Sequence, residues 1–90
     1  MNDNLEFEWD EDKSRRTGVD RGLTFEDARN LWNDPEAIEV PTQQLIGEAR
    51  WAKIGLLGRI DHTVIFTMRG DRVRIISVRR SKPWERKLYE

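Results

Sequence analysis

Thr63-Val64-Ile65-Phe66-Thr67-Met68-Arg69-Gly70-Asp71-Arg72-Val73-Arg74-Ile75-Ile76-Ser77-Val78 is the stretch that decides the fold. Two β-branched runs flank Gly70-Asp71, a dipeptide whose glycine tolerates the backbone of a tight hairpin. Upstream, Arg50 to Leu57 has the same texture and joins through Gly58 to Asp61, so the three runs predict an antiparallel meander. Ala37 to Val40 adds a strand before it, across a longer connection from Pro41 to Gly47. In the last strand, strict alternation puts Arg72, Arg74, Ile76 and Val78 on one side. Val73, Ile75, Ser77 and Arg79 fall on the other.

The chain ahead of these strands carries helical signals. Phe7 and Trp9 alternate with Glu6 and Glu8 as a short strand that ends at Asp10. Asp10 is an N-cap, Glu11 and Asp12 suit the first turn of a helix over about 11–17, and Gly18, Asp20 and Gly22 are expected to stop it. Thr24 with Asp27 forms a capping box, and Phe25, Ala28, Leu31 and Trp32 then recur at helical spacing to Asp34-Pro35, which ends a second helix over about 25–33. Trp32 is read as core. Pro83 just inside a helix start, with Trp84, Leu88 and Tyr89 following, predicts a C-terminal helix. The pattern is that of an α+β domain: an antiparallel sheet of about four to five strands, two N-terminal helices packed on it, and a C-terminal helix. The helices cover one sheet face and leave the other open to bind.

Ninety residues suit one domain over 1–90, with 1–5 as a loosely ordered extension. A chain of this size buries roughly 60% of its extended surface, so its stability alone is marginal and a partner is plausible on physical grounds. The net charge of -1 conceals a division. Residues 1–48 hold 5 Lys/Arg against 13 Asp/Glu, whereas residues 49–90 hold 11 against 4. A basic segment of that density is what a polyanion-binding surface requires, unless the fold interleaves the halves. No apolar run approaches the roughly 18 residues of a membrane span and the N-terminus lacks a signal-peptide pattern, which predicts a soluble cytoplasmic protein.

The chemical inventory is narrow. With no cysteine there is no disulfide framework, thiolate metal site or thiol nucleophile. His62 is the only histidine, expected to be solvated beside a turn, and cannot form an imidazole pair within the chain. Asp10, Glu11 and Asp12 are explained by a helix N-terminus, so no metal and no cofactor is assigned. Gly55-Leu56-Leu57-Gly58 and Arg69-Gly70-Asp71 are read as turn architecture. Arginine, lysine, glutamate and tyrosine remain. They suffice for attack of an RNA 2′-hydroxyl on its neighbouring phosphate, which needs positioning, charge stabilisation and proton transfer but no metal. Arg50, Arg74, Arg79, Arg80, Trp9, Trp51 and Phe66 are candidates to hold phosphate and stack bases.

An ordered set of segments resembles a known family. Phe7-Glu8-Trp9-Asp10 with Lys13, Gly22-Leu23-Thr24-Phe25-Glu26 with Ala28 and Asp34, Glu48-Ala49-Arg50 with Ile54-Gly55, Arg74 to Arg80, and Glu85-Arg86 with Tyr89 are similar to the BrnT toxins. The resemblance implies a RelE-like α+β fold and a ribonuclease toxin of a bacterial type II toxin-antitoxin pair that arrests translation and growth. It also implies a BrnA-like ribbon-helix-helix antitoxin that neutralises the toxin, dimerises to give a heterotetramer and alone contacts operator DNA. By position, Arg50 and Arg79 take phosphate and transition-state binding, Lys13, Arg74 and Arg80 hold substrate, and Trp9 stacks a base or packs. Glu48, Glu85 and Tyr89 transfer protons or orient the arginines. Family members commonly carry a histidine where this chain has Arg21, so proton transfer passes to another group or the nuclease is weak. The competing class is a non-catalytic basic module that binds nucleic acid or protein.

Overall fold

The computed structural model describes residues 5–42 and 47–90; residues 1–4 of the expected extension and 43–46 of the expected connection lie outside the described residues. In chain order the elements are β1 (Glu6–Glu8), α1 (Glu11–Arg21), α2 (Phe25–Ala28) running on into a 3-10 segment (Arg29–Asn33), β2 (Ile38–Pro41), β3 (Trp51–Leu57), β4 (Ile60–Arg69), β5 (Arg72–Arg80) and α3 (Pro83–Tyr89). They build one five-stranded sheet in the order β1-β5-β4-β3-β2. The expected meander is present, with β4 antiparallel to both β3 and β5. Its turns are two residues each, Gly58-Arg59 and Gly70-Asp71, with the glycines at φ 67° and 63°. β4 therefore starts at Ile60, and Asp61 belongs to a strand rather than to the turn expected over Gly58 to Asp61.

Two features of the sheet correct the sequence reading. β1 lies parallel to β5, with Phe7 opposite Val73, so the sheet is mixed rather than antiparallel. No short turn fixes the direction of β1, since every other strand intervenes before β5. The second correction is a bulge. Ile65 pairs with Ser77 while Phe66 pairs with Ile75, which leaves Ile76 as an extra residue in β5 and reverses the alternation there. Val73, Ile75 and Val78 consequently all join one core cluster. Arg74 before the bulge, and Ser77 and Arg79 after it, share the opposite side.

That core cluster brings Phe25, Ala28, Leu31 and Trp32 from the first helices against Val64, Phe66, Val73, Ile75 and Val78. Trp32 belongs to the core as expected, edge-on to both Phe7 and Phe66 at centroid distances of 5.1 Å. The expected helix over 11–17 runs instead to Arg21, because Gly18 keeps helical geometry and Gly22, at φ 76°, supplies the left-handed cap. Asp10 accepts the N–H groups of Asp12 and Lys13 at its start. The Thr24–Asp27 capping box forms, but only four residues stay α-helical before the chain tightens to 3-10 geometry. His62 is 5% exposed, not solvated: it lies on the same face of β4 as Val64 and Phe66, and its Nδ1 lies 2.9 Å from the Ile60 carbonyl.

The second face is not open along its whole length. Register places Ile54, Thr63 and Arg79 in one row on that face, and the side chains of Thr63 and Arg79 reach Glu85 of α3. The C-terminal helix thus covers one end of it. On the core face, Gly55 is where β3 passes closest to the segment leaving α2. A Cβ there would lie 2.9 Å from the Ala37 Cβ, 2.9 Å from Asp34 Oδ2 and 3.2 Å from Leu31 Cδ1. Gly55→Ala is expected to destabilise the domain by about 1–3 kcal/mol through overpacking. Urea unfolding checks this against Gly58→Ala, which meets no atom within 4 Å and pays only for its positive φ.

Candidate functional site

Glu85 is 1% exposed, at the third position of α3, and a carboxylate so buried must be paired. Arg79 meets it with two bonds, Nη1 to Oε1 at 2.7 Å and Nη2 to Oε2 at 2.8 Å. The Lys82 backbone N–H donates to Oε1 at 2.7 Å and the Thr63 hydroxyl at 3.0 Å, with the Ser81 hydroxyl 2.8 Å from that of Thr63. Burial pushes the Glu85 carboxyl up, but the bonds from Arg79, Lys82 and Thr63 outweigh it and hold the carboxyl below its ordinary range. Its acceptor sites are occupied and its charge is fixed, so it orients Arg79 and is poorly suited to exchanging protons. The bond to Glu85, against the cost of burial, raises the Arg79 guanidinium further. With a side chain 26% exposed, Arg79 is a pre-aimed, permanently charged donor at the end of β5.

Two further arginines gather there. Arg80 is exposed at the strand terminus. Arg21, at the end of α1, donates from Nη1 to the carbonyl of Val78 at 2.6 Å, one peptide from Arg79. Neither Thr63, Ser81 nor Arg21 was singled out as a site residue from sequence. Thr63 and Ser81 become polar neighbours only through strand register and the placement of α3, whereas Arg21 stood out only as a substituted position.

Other candidates lie elsewhere. Thr67, opposite Arg74, donates its hydroxyl to the Ala49 carbonyl at 2.6 Å, so Arg50 and Glu48 belong at the Arg74 end of the sheet. Arg50 is exposed, four residues before Ile54, the row partner of the Thr63–Arg79 pair, which separates it from Arg79 by about 13 Å along the strand alone. Arg50 and Arg79 are therefore not brought together. Arg74 is tied to Glu8 at 2.9 Å and Glu48 to Arg69 at 3.0 Å. Lys13 is exposed on α1. Trp9 is half-buried against the core cluster, beside a shallow pocket lined by Glu11, Ser14, Arg15, Thr24 and Glu26. Tyr89 donates to Asp34 Oδ2 at 2.7 Å; that bond, with burial and the Asp34 charge, pushes its hydroxyl up to about 12. Asp34 also accepts the Leu56 N–H at 2.9 Å, so Tyr89 fastens α3 to the edge of β3.

The charge division of the sequence is partly folded away. Acids of the first half meet bases of the second in Glu6–Arg72, Glu8–Arg74, Glu39–Lys53 and Glu48–Arg69. Among the described residues no three His, Asp or Glu side chains cluster as a metal site would need. No helix among them is long and apolar enough to cross a membrane.

Fold and site together define a small α+β protein that displays fixed guanidinium groups at one end of a mixed sheet. Residues 9–85 match the family described as "Ribonuclease toxin, BrnT, of type II toxin-antitoxin system", and the chain belongs to that family. No curated protein matches it.

Because the native carboxyl of Glu85 titrates below its unfolded value, its stabilising contribution is complete above the unfolded pKa and is lost as pH falls through the folded one. Glu85→Gln is expected to cost on the order of 2 kcal/mol at neutral pH, since it leaves Arg79 without its ionic partner. Denaturant titrations from pH 7 to pH 3 should show this deficit shrinking with acidification; a constant deficit would mean that Glu85 is not ionised in the fold.

Proposed function

We propose that this toxin cleaves RNA without a metal ion, by attack of a ribose 2′-hydroxyl on the adjacent phosphorus. The 2′-oxygen–phosphorus bond forms as the bond to the 5′-oxygen breaks. The 2′-hydroxyl gives up its proton, the departing 5′-oxygen gains one, and the products are a 2′,3′-cyclic phosphate and a 5′-hydroxyl. The observation that carries this reading is the Arg79–Glu85 pair: a guanidinium held in place before substrate arrives stabilises charge developing on the phosphorane without reorganising. Family membership supports the substrate class.

In this reading Arg79 binds the reacting phosphate and Glu85 positions it. Arg50 and Arg74, at the other end of the sheet, hold flanking phosphates, as do Lys13 and Arg80. Glu48, exposed and paired with Arg69, is the carboxylate of the three proton-transfer candidates that remains open to solvent. Tyr89 anchors α3. Trp9 keeps a packing role. The fold is RelE-like, cleavage arrests translation in the cytoplasm, and a BrnA-like ribbon-helix-helix antitoxin neutralises the toxin by covering the arginine surface. Its dimerisation gives a heterotetramer, and operator DNA is met only through the antitoxin.

Arg79→Lys keeps a positive charge beside Glu85 but loses the planar fork, and is expected to lower RNA cleavage by roughly 100-fold. Arg79→Ala is expected to abolish growth arrest on induced expression. Mapping RNA ends for cyclic phosphates, alongside circular dichroism to establish folding, checks both. Undiminished cleavage by folded Arg79→Lys and Arg79→Ala would remove Arg79 from the reaction.

A further inference from the structure

We propose that the groove between α1 and the unpaired edge of β5 binds the phosphate backbone of single-stranded RNA through Lys13, Arg16 and Arg21. The inference rests on the ribonuclease reading and extends it from the reacting phosphate to the path of the strand beyond it. β1 pairs with β5 only over Arg72 to Arg74, so the edge of β5 beyond Arg74 has no strand beside it among the described residues. α1 approaches there instead, its Arg21 bonded to the Val78 carbonyl at 2.6 Å. Between them lies a groove of about 280 Å³, lined by Lys13, Arg16, Thr17, Asp20, Arg21 and Ser77. Three cations and two hydroxyls face one carboxylate, an inventory that suits a phosphodiester.

These cations are among those that no carboxylate of the described residues neutralises within 4 Å. On the same helix Arg15 is paired with Asp12 at 2.9 Å, and Arg72, Arg74, Arg79 and Arg86 each have a carboxylate within 4 Å. Among the described residues, Lys13, Arg16 and Arg21 have none at that distance. Lys13 and Arg16 are three residues apart on α1, so they share a side of the helix, where their like charges repel until an anion is present. Beyond the bulge, alternation puts Ser77 and Arg79 on one side of β5, about 7 Å apart along the strand. The groove therefore opens next to the Arg79 centre, at the spacing of neighbouring nucleotides in one strand.

The test is fluorescence-anisotropy binding of the full chain to a mixed-sequence 2′-O-methyl decanucleotide, which cannot be cleaved because its 2′-oxygens carry no proton. Lys13→Ala combined with Arg16→Ala, both at exposed helical positions, should weaken binding and lower the slope of log affinity against log salt by about 0.7 for each phosphate no longer neutralised. Asp20→Asn should tighten binding, which loss of structure would not do. If Arg79→Lys weakens binding while the Lys13/Arg16 double variant and Asp20→Asn leave affinity and slope unchanged, the groove is not on the RNA path and the ribonuclease reading stands. If the double variant instead weakens only the complex with the antitoxin, the groove is a protein interface and the proposal is overturned. If the unmodified chain binds no oligonucleotide at any salt, both readings fall together.

Discussion

A carboxylate sealed from water at Glu85 is the constraint around which the C-terminal part of this fold is organised. An unpaired charge there would be prohibitively costly, so β4 must supply Thr63, the turn into α3 must supply the Lys82 N–H, and β5 must supply Arg79. Meeting those demands fixes where α3 sits and which way Arg79 points. The same contacts that stabilise the helix thus prepare the site. A buried ion pair adds little net stability compared with an apolar replacement, but it specifies one arrangement, and here that arrangement is a guanidinium aimed from the end of a strand.

Much of the architecture was legible in the chain because local chemistry and tertiary need agree. Gly70-Asp71 turns where expected, Thr24 and Asp27 cap where expected, and Trp32 packs in the core. The failures have physical causes. Alternation along β5 breaks because one extra residue at Ile76 resets the pleat, and no residue type announces a bulge. α1 outruns its first glycine because Gly18 takes ordinary helical angles, leaving Gly22 to end the helix. His62 is buried because it shares the core face of β4 with Val64 and Phe66, a fact that exists only once the strand's bounds and facing are known.

The site was legible in type but not in grouping. Arginine as the candidate phosphate-binding residue follows from an inventory without cysteine and with one histidine. Which arginines lie together depends on the fold, which parts Arg50 from Arg79 and brings Arg21 to the carbonyl beside Arg79. Charge counting along the chain was equally partial. The basic half is real, but acids of β1 and β2 neutralise part of it, and three cations with no carboxylate of the described residues within 4 Å lie on α1, within the acidic half.

The parallel pairing of β1 with β5 also bears on how the domain comes into being. Glu8 and Arg74 are 66 residues apart in sequence, and the sheet cannot acquire its first edge until its last strand exists. Such long-range closure pays its loop entropy before it gains contacts, which makes it late in folding. On a ribosome adding roughly 5–20 residues per second, the nascent chain stays unfinished until β5 and α3 have emerged. Arg79 and Glu85 emerge with them, so the growing polypeptide has no assembled guanidinium centre until then.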